Sequence, residues 1–291
     1  MTLTSMFYLE PREIYAKEKP YFIFFPVDHI PGAVQTNLES SEHKDVSVAD
    51  VREIDFRHTL DTSGFELVKY ESAIPYEAFS DFQTINHKYF NEVEQFVRKR
   101  TGASWVQTID CDIRRRAPEY PKIQFGDTDC QPLQSVHVDY TLAWGVEKAE
   151  DLKKRRGEVR KGRVQELTLW RPLCGPVRDW PLAICDYRSV DQTTDAMPVD
   201  QVYPHLLAEG INYYYNSQHR WYFASDMSPD EAWLLKIIDT DARLKGLAEN
   251  CPHTAFDWHD APIDRSPRES IEVRVVAFTA DEDRRGNGHS V

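Results

Sequence analysis

The feature that most constrains the fold is one long helical segment followed by many short strand-like segments. Between residues 76 and 100, apolar side chains recur at spacings near three and four, which is typical of an amphipathic helix. Thr101-Gly102 follows this segment and predicts its end, with Lys99 and Arg100 in the last turn. Strand-like patterns then occur at residues 105–113, 136–142, 164–170, 182–186, 221–223 and 271–278.

This order of elements predicts a mainly β chain. Helical connectors are expected at residues 199–207 and 229–239, although Trp233-Leu234-Leu235 also suits a strand. One helix ahead of many short strands fits an antiparallel barrel or sandwich with helices on one side. We expect residues 1–278 to form a single domain with an N-terminal extension, and the polar residues 279–291 to be a disordered tail.

The charge of the chain argues against a nucleic-acid partner. The formal net charge is −13, whereas binding to a phosphate backbone needs clustered Lys and Arg. The one basic cluster is the run at residues 153–163. We interpret this run as a solvated loop, or alternatively as a lid or an anion-steering patch over an active site.

The cysteines and the apolar runs predict a cytoplasmic protein that does not cross a membrane. The chain has 5 cysteines and no C-x-x-C pair, which is not the pattern of a secreted disulfide scaffold. The N-terminal residues lack the basic region and apolar core of a signal peptide. No run of about 18 apolar residues is present. A monomer and a homo-oligomer are both compatible with the sequence.

The motif His137-Val138-Asp139 is the first candidate for a metal site. Alternate residues of a strand face the same side, so the imidazole and the carboxylate point into one cavity. One more histidine would complete the two-histidine, one-carboxylate set that binds non-haem Fe(II) and leaves positions for substrate and O₂. Alone, the motif also fits a surface strand with two polar residues.

The C-terminal part supplies a further histidine and a cation. His253 lies in Pro252-His253-Thr254, and Arg268 follows it by 15 residues (268 − 253 = 15). Arg268 and Ser270 are two apart and can face the same side of a strand. Arginine suits the binding of a carboxylate, because its planar guanidinium donates two parallel hydrogen bonds.

Five segments carry a resemblance to a known family. They are Thr168-Leu169-Trp170-Arg171-Pro172-Leu173, Cys185-Asp186-Tyr187-Arg188-Ser189, His219-Arg220-Trp221-Tyr222-Phe223, Pro252-His253-Thr254-Ala255-Phe256 and Arg268-Glu269-Ser270-Ile271-Glu272-Val273-Arg274. From about residue 50 to 278, the chain resembles the 2-oxoglutarate/Fe(II)-dependent oxygenase superfamily. Within it, the chain resembles the mostly fungal hydroxylase/desaturase group related to gibberellin desaturase and the cephalosporin hydroxylase subunit. Thr168 departs from the Asn that is frequent in this group.

The resemblance implies a fold, a cofactor set and a chemistry. The fold would be a double-stranded β-helix, a jelly-roll, cupin-like barrel with flanking helices. Fe(II) would be bound by His137, Asp139 and His253, and 2-oxoglutarate would be converted to succinate with O₂. Arg268, helped by Ser270, would hold the far carboxylate of 2-oxoglutarate. The implied activity is hydroxylation or desaturation of a small-molecule substrate in secondary metabolite biosynthesis.

His219 is a rival for the third metal ligand. It lies 82 residues after His137 (219 − 137 = 82), whereas His253 lies 116 after it (253 − 137 = 116). We favour His253, because Arg220 directly after His219 is wrongly placed for a cosubstrate carboxylate. His219 is then either a buried histidine bound to a backbone carbonyl or a group that contacts substrate.

Other polar residues compete for roles in binding. Arg265 and Arg274 are alternatives to Arg268 for the cosubstrate, and Arg274 shares its strand parity. Arg171, just before a proline, either binds a carboxylate of cosubstrate or substrate or pairs with an acid such as Asp186 in the scaffold.

The position of Tyr140, next to the H-x-D motif, suits either the lining of the substrate pocket or packing.

Two further functions remain open from the sequence. The first is an Fe(II)-dependent oxidase or cyclase that does not use 2-oxoglutarate. The second is a non-catalytic barrel that binds a small molecule. Succinate release distinguishes the first from the favoured function, and metal content distinguishes the second.

Overall fold

The computed structural model describes residues 1–117 and 131–286, and these residues form two β-sheets with helices packed on them. The predicted mainly β fold, a double-stranded β-helix with flanking helices, is confirmed. In chain order the strands are β1 (Thr2–Leu9), β2 (Tyr21–Ile23), β3 (Ser40–Asp50), β4 (Phe65–Lys69), β5 (Trp105–Arg115), β6 (His137–Val138), β7 (Gly162–Pro172), β8 (Leu182–Cys185), β9 (Ala196–Tyr203), β10 (Leu206–Tyr213), β11 (Trp221–Phe223), β12 (Glu231–Asp239), β13 (His253–Ala255) and β14 (Glu269–Ala280).

The two sheets face each other across the site described below. The nine-stranded sheet has the order β1-β3-β11-β8-β13-β6-β10-β9-β2, and the five-stranded sheet has the order β4-β12-β7-β14-β5. The nine-stranded sheet curls, so that its edge strand β1 returns to its middle, where the backbone N–H of Val136, just before β6, donates to the carbonyl of Phe7. The inner faces meet where the Asp139 carboxylate contacts Thr168 of β7 and Arg274 of β14.

Strand β14 separates an apolar layer from a polar one. Ile271, Val273 and Val275 are fully buried in a core shared with the helical segment. The alternate residues, Glu272 and Arg274 among them, point to the nine-stranded sheet, because successive side chains of a strand leave opposite faces. The apolar residues of β14 therefore pack against the helical segment, and the alternate residues face the site.

The predicted helical segment is confirmed and consists of four consecutive pieces. The Asp81 carboxylate accepts hydrogen bonds from the backbone N–H groups of Gln83 and Thr84 and so begins the second piece. The last piece ends at Gly102, whose φ of 69° lies in the left-handed region that glycine adopts without strain. The pieces are a 3-10 helix (Tyr76–Ser80), α1 (Phe82–Thr84), a π-helix (Ile85–Tyr89) and α2 (Phe90–Thr101).

A helix that the periodicity did not predict follows β6, namely α3 (Leu142–Arg156). The strand expected at 136–142 is therefore short, because the Thr141 hydroxyl accepts a hydrogen bond from the Trp144 N–H (3.3 Å) and begins the helix. Of the basic run expected to be a loop, residues 153–156 form the last turn of α3, where cationic side chains are favourable beside the exposed carbonyls. Residues 157–161 connect this helix to β7, as the loop prediction has it. Gly157 ends the helix.

The helix expected at residues 199–207 is wrong. These residues belong to β9 and β10, which pair as a hairpin around Pro204-His205. The proline has no N–H to continue a helix, and pairing along the sheet outweighs the helix-like spacing of the apolar residues. Residues 231–239 form β12, so the strand alternative is the correct one there.

The polar C-terminus starts later than expected. Thr279 and Ala280 complete β14, and a short helix (Asp281–Gly286) follows. Residues 287–291 lie outside the described residues.

Cys111, Cys174, Cys185 and Cys251 are free thiols, as expected, and Cys130 lies outside the described residues. In the described ranges, no helix has both the length and the apolar character needed to span a membrane.

Candidate metal centre and its cavity

Three possible metal ligands lie together between the two sheets. His137 is the first residue of β6, Asp139 directly follows this strand, and His253 is the first residue of β13. The two strands are antiparallel neighbours, with His253 opposite His137. The structure thus brings together the three residues that the sequence analysis predicts as ligands, and their donor atoms all lie within 4.8 Å of one another.

The geometry and chemistry of the three donors fit a single transition-metal ion. The Asp139 Oδ1 atom lies 3.6 Å from His137 Nε2 and 3.9 Å from His253 Nε2. Metal–nitrogen and metal–oxygen bonds of roughly 2 Å span such separations. Two imidazole nitrogens and one carboxylate oxygen are the donor set of non-haem Fe(II), with coordination positions left for small ligands.

The backbone orients both imidazole rings. His137 Nδ1 lies 2.7 Å from the carbonyl oxygen of Ser135, and His253 Nδ1 lies 3.0 Å from that of Cys251. A carbonyl only accepts, so each Nδ1 carries the proton and each Nε2 keeps its lone pair for a metal.

The protonation states also suit metal binding. Burial, together with the neighbouring His137, lowers the pKa of His253 to about 4, so this ring is neutral near pH 7. Burial alone would raise the pKa of Asp139, but Arg274 and the two histidines hold it well below its usual range. Neutral imidazoles and an ionised carboxylate are the forms in which these side chains bind metals.

Arg274 is engaged by carboxylates on every side. Its Nε donates to Asp139 Oδ2 (2.9 Å), and its two terminal nitrogens donate to Asp110 (2.6 Å), Asp112 (3.1 Å) and Glu272 (2.7 Å). These contacts argue against Arg274 as the cosubstrate arginine that the sequence left as an alternative.

A narrow cavity adjoins the metal ligands and contains two arginines. Arg268 is 2% exposed, donates from Nη1 to the Trp180 carbonyl (2.5 Å) and lies 5.5 Å from the centre of the Trp170 ring. Arg114 donates to Glu272 (2.6 Å). The residues lining the cavity are Arg114, Leu133, His137, Trp170, Leu182, His253, Thr254, Ala255, Arg268 and Glu272.

Ser270 of β14 has the same parity as Glu272 and as Arg268, which directly precedes the strand. Its hydroxyl is fully buried and makes no hydrogen bond with the described residues. A buried hydroxyl with no partner is uncommon in native proteins. This hydroxyl is a candidate contact for a polar ligand.

The structure contradicts the expectation that Arg171 binds a carboxylate in this cavity. Its guanidinium carbon lies 5.4–5.8 Å from the ring centres of Tyr70, Phe79 and Tyr89, on the helical side of the five-stranded sheet. It has the opposite parity to Trp170, which lines the cavity. The alternative pairing with Asp186 is also wrong, since that carboxylate accepts from Arg188 and Arg220 instead.

His219 does not join the metal ligands. Its side chain is buried, with Nε2 3.1 Å from an Asp195 carboxylate oxygen and Nδ1 3.3 Å from the Tyr8 hydroxyl. Neither neighbour lines the cavity beside the metal ligands. The expected contact of His219 with substrate is therefore unsupported, and its partner is a carboxylate rather than a backbone carbonyl.

Arg265 also lies away from the cavity and pairs with Asp257 (3.3 Å).

Tyr140 lies on another side of the metal ligands. Its ring stacks on Trp144 with 4.0 Å between ring centres, and its hydroxyl donates to Asp110 (3.4 Å). Tyr203 stacks on the exposed Phe24, with 4.4 Å between the ring centres. Burial raises the pKa of Tyr203 to about 12, and the charges of Arg274 and its acidic partners also act on this pKa. Besides burial, the charge of Asp139 raises the pKa of both Tyr140 and Tyr203, so both side chains lie near this carboxylate. These two tyrosines are called the aromatic wall below.

Several residues of the site were missed by sequence reasoning. Asp110, Asp112 and Arg114 alternate along β5 and face the Arg274 side chain or its Glu272 partner. Their period of two was a usable signal. Glu166 of β7 is fully buried, and neither of its carboxyl oxygens has a hydrogen-bond partner in the described part of the chain.

Comparison with known proteins gives a consistent family. Residues 6–278 match the family described as Oxidoreductase/YMDC permease-like domain. The chain is 34% identical over 276 residues to hydroxylase/desaturase efuI of Hormonema carpetanum, which covers 87% of this chain and 90% of that protein. It is 30% identical over 289 residues to Fe(II)/2-oxoglutarate-dependent dioxygenase nvfI of Aspergillus novofumigatus, which covers 94% of this chain and 96% of that protein.

The fold is shared with a solved structure of the same class. The iron and alpha-ketoglutarate-dependent endoperoxidase NvfI has a TM-score of 0.79 and 27% identity, over 96% of this chain and 98% of that one. The His-Asp-His cluster supplies the donor set that such an enzyme requires. The chain belongs to the family of Fe(II)/2-oxoglutarate-dependent oxygenases.

Proposed function

We propose that His137, Asp139 and His253 bind the Fe(II) and that the chain oxidises a C–H bond of a small natural product. The observation that carries this proposal is the convergence of His137 Nε2, His253 Nε2 and Asp139 Oδ1 beside an arginine-lined cavity. Iron with 2-oxoglutarate and O₂ supplies the oxidation, in which the keto acid becomes succinate and CO₂.

We further propose that Arg268 and Ser270 bind the far carboxylate of 2-oxoglutarate. Arg268 lines the same cavity as the two histidines and is held by Trp180 and Trp170, so its guanidinium has a fixed position. The buried Ser270 hydroxyl has no other partner in the described chain. Charge-assisted hydrogen bonds are strong in such a buried site, and they would place the keto acid end of the cosubstrate near the metal ligands.

The substrate is proposed to lie against the aromatic wall of Tyr140 and Tyr203. This wall is separate from the residues that line the arginine cavity. Aromatic side chains favour a largely apolar ligand, and the protein's task is to place its C–H bond and to exclude water. With Arg171 on the other face of the sheet, that residue no longer supports an acidic substrate.

Hydroxylation or desaturation is the proposed outcome. The relative from Hormonema carpetanum is named a hydroxylase/desaturase. The endoperoxidase NvfI, similar over almost the whole chain, favours endoperoxide formation as a second candidate. The mass of the product separates these outcomes: a gain of one oxygen atom indicates hydroxylation, a loss of two hydrogens desaturation or ring closure, and a gain of two oxygen atoms an endoperoxide.

A cytoplasmic location and action as one domain over residues 1–278 are also proposed. The free thiols of the four described cysteines support a reducing compartment. No nucleic-acid partner is proposed, given the net charge of −13. Monomer and homo-oligomer remain alternatives that light scattering would distinguish.

The decisive experiment measures succinate. Protein reconstituted anaerobically with Fe(II) and 2-oxoglutarate is exposed to O₂ with a panel of terpenoid and polyketide fragments and small acids. We expect succinate from the wild type and none from His253→Ala. Bound iron without succinate on any substrate would favour an oxidase that does not use 2-oxoglutarate, and absence of bound metal would favour a non-catalytic barrel.

A further inference from the structure

We propose that Arg274 is a positioning residue that keeps Asp139 a ligand through one oxygen only. This inference rests on the proposed role of Asp139 as a metal ligand. Arg274 would thus assist cosubstrate binding through Asp139, without contacting the cosubstrate itself.

The two oxygens of Asp139 have different partners. Oδ1 faces the Nε2 atoms of His137 and His253, at 3.6 and 3.9 Å. Oδ2 accepts from Arg274 Nε at 2.9 Å, with the Thr168 hydroxyl at 3.5 Å. One oxygen is therefore directed to the metal position, and the other is held away from it.

This division matters because coordination positions are scarce. Bound by these three side chains, an Fe(II) ion with octahedral preference would keep three positions, which a chelating keto acid and O₂ would need. A carboxylate that turns and binds through both oxygens takes one of these positions. By binding Oδ2, Arg274 leaves the space that the cosubstrate requires.

Arg274 is itself fixed from behind. Asp110, Asp112 and Glu272 hold its terminal nitrogens, and Glu272 is also bound by Arg114 at 2.6 Å. Arg274 is 6% exposed. An outer partner that is held in this way fixes the orientation of the ligand it contacts.

A merely structural role makes a different prediction. An ion pair that stabilises the sheets needs only the contacts of the terminal nitrogens with the three outer acids. Positioning of Asp139 needs the donor at Nε. Glutamine places its side-chain amide nitrogen at the Nε position of arginine, whereas methionine of similar length has no donor there.

The test therefore compares Arg274→Gln with Arg274→Met, both in an Asp112→Asn background that offsets the lost positive charge. Asp112→Asn alone is the control. Circular dichroism melts establish folding. The readouts are Fe(II) affinity and the visible charge-transfer absorption of the anaerobic Fe(II)–2-oxoglutarate complex, titrated with 2-oxoglutarate.

We expect the Met variant to bind the metal or 2-oxoglutarate roughly 10- to 100-fold more weakly than the Gln variant, the range for loss of an outer partner. Asp112→Asn alone is the reference for both double variants, because Asp112 itself contacts Arg274. Equal affinities in the folded Gln and Met variants would overturn the positioning role. Failure of the wild type itself to form the complex would instead count against the proposed function.

Arg274→Lys carries the same test if the double variants do not melt cooperatively. Lysine keeps the charge among the acids but has a carbon atom at the Nε position. A folded Lys variant with wild-type affinity for both metal and 2-oxoglutarate would also overturn the proposal, and a tenfold or greater loss would support it.

Discussion

His137 and His253 lie opposite each other on adjacent antiparallel strands, and each ring nitrogen Nδ1 contacts the carbonyl two residues earlier in the chain. These carbonyls belong to Ser135 and Cys251. The same local device thus turns both Nε2 atoms toward Asp139, and the two ring centres are 4.5 Å apart. Each ring is oriented by the chain segment just before its own strand, so the loss of one ring should leave the other in place.

Replacement of either histidine is expected to remove metal binding without unfolding the chain. For His137→Ala and His253→Ala, we expect Fe(II) affinity to fall by more than roughly 100-fold, beyond the range for outer partners, and turnover to be lost. Anaerobic metal titration and a thermal melt measure the two effects. His259→Ala, on a side chain that is 62% exposed, is the matched control. Wild-type affinity in either site variant would rule out that ligand.

Arg268→Ala is expected to weaken 2-oxoglutarate binding with iron still bound. The loss of a hydrogen bond to a charged group costs about 1.5–3 kcal/mol, which is roughly a 10- to 150-fold increase in the 2-oxoglutarate Kd. Titration of the anaerobic iron complex with 2-oxoglutarate measures it.

Arg265→Ala is the control for this prediction, because Arg265 lies three residues earlier and pairs with Asp257. An unchanged Kd in Arg268→Ala would transfer the role to another residue of the cavity, with Arg114 the first candidate.

The core of the metal cluster could be predicted from the sequence, because two of its ligands are close together in the chain. His137 and Asp139 are two residues apart, and a period of two sets their shared direction whatever the rest of the fold does. His253 needed the resemblance, since its position opposite His137 depends on a pairing between strands more than a hundred residues apart.

The face of β7 to which the Arg171 side chain points could not be predicted from the sequence in the same way. Pattern alone does not say which parity of β7 faces the cavity, and a shift of one residue exchanges the two faces. Trp170 faces the cavity and Arg171 faces Tyr70, Phe79 and Tyr89. Only the packing of the helical segment on β7 decides between these directions.

Arg171→Ala is therefore expected to lower stability and leave cosubstrate affinity unchanged. The substitution removes a large buried side chain from contact with three rings, which costs about 2–5 kcal/mol by comparison with other large-to-alanine changes. Denaturant unfolding measures this loss, and titration with 2-oxoglutarate checks the affinity. A raised 2-oxoglutarate Kd in a folded Arg171→Ala protein would contradict its placement outside the cavity.

Glu166 should make the protein less stable as the pH rises, and Glu166→Gln should abolish this effect. Burial, with Asp110 and Asp139 nearby, raises the pKa of Glu166 well above its usual value, and no described residue donates to its oxygens. Above about pH 4.3 the unfolded chain releases this proton while the folded protein keeps it, so stability falls by about 1.4 kcal/mol per pH unit until the folded pKa is passed. The measurement is the difference in unfolding free energy between Glu166→Gln and wild type from about pH 5 to 8. Growth of this difference in favour of Gln confirms a protonated Glu166, and a difference that stays constant with pH contradicts it.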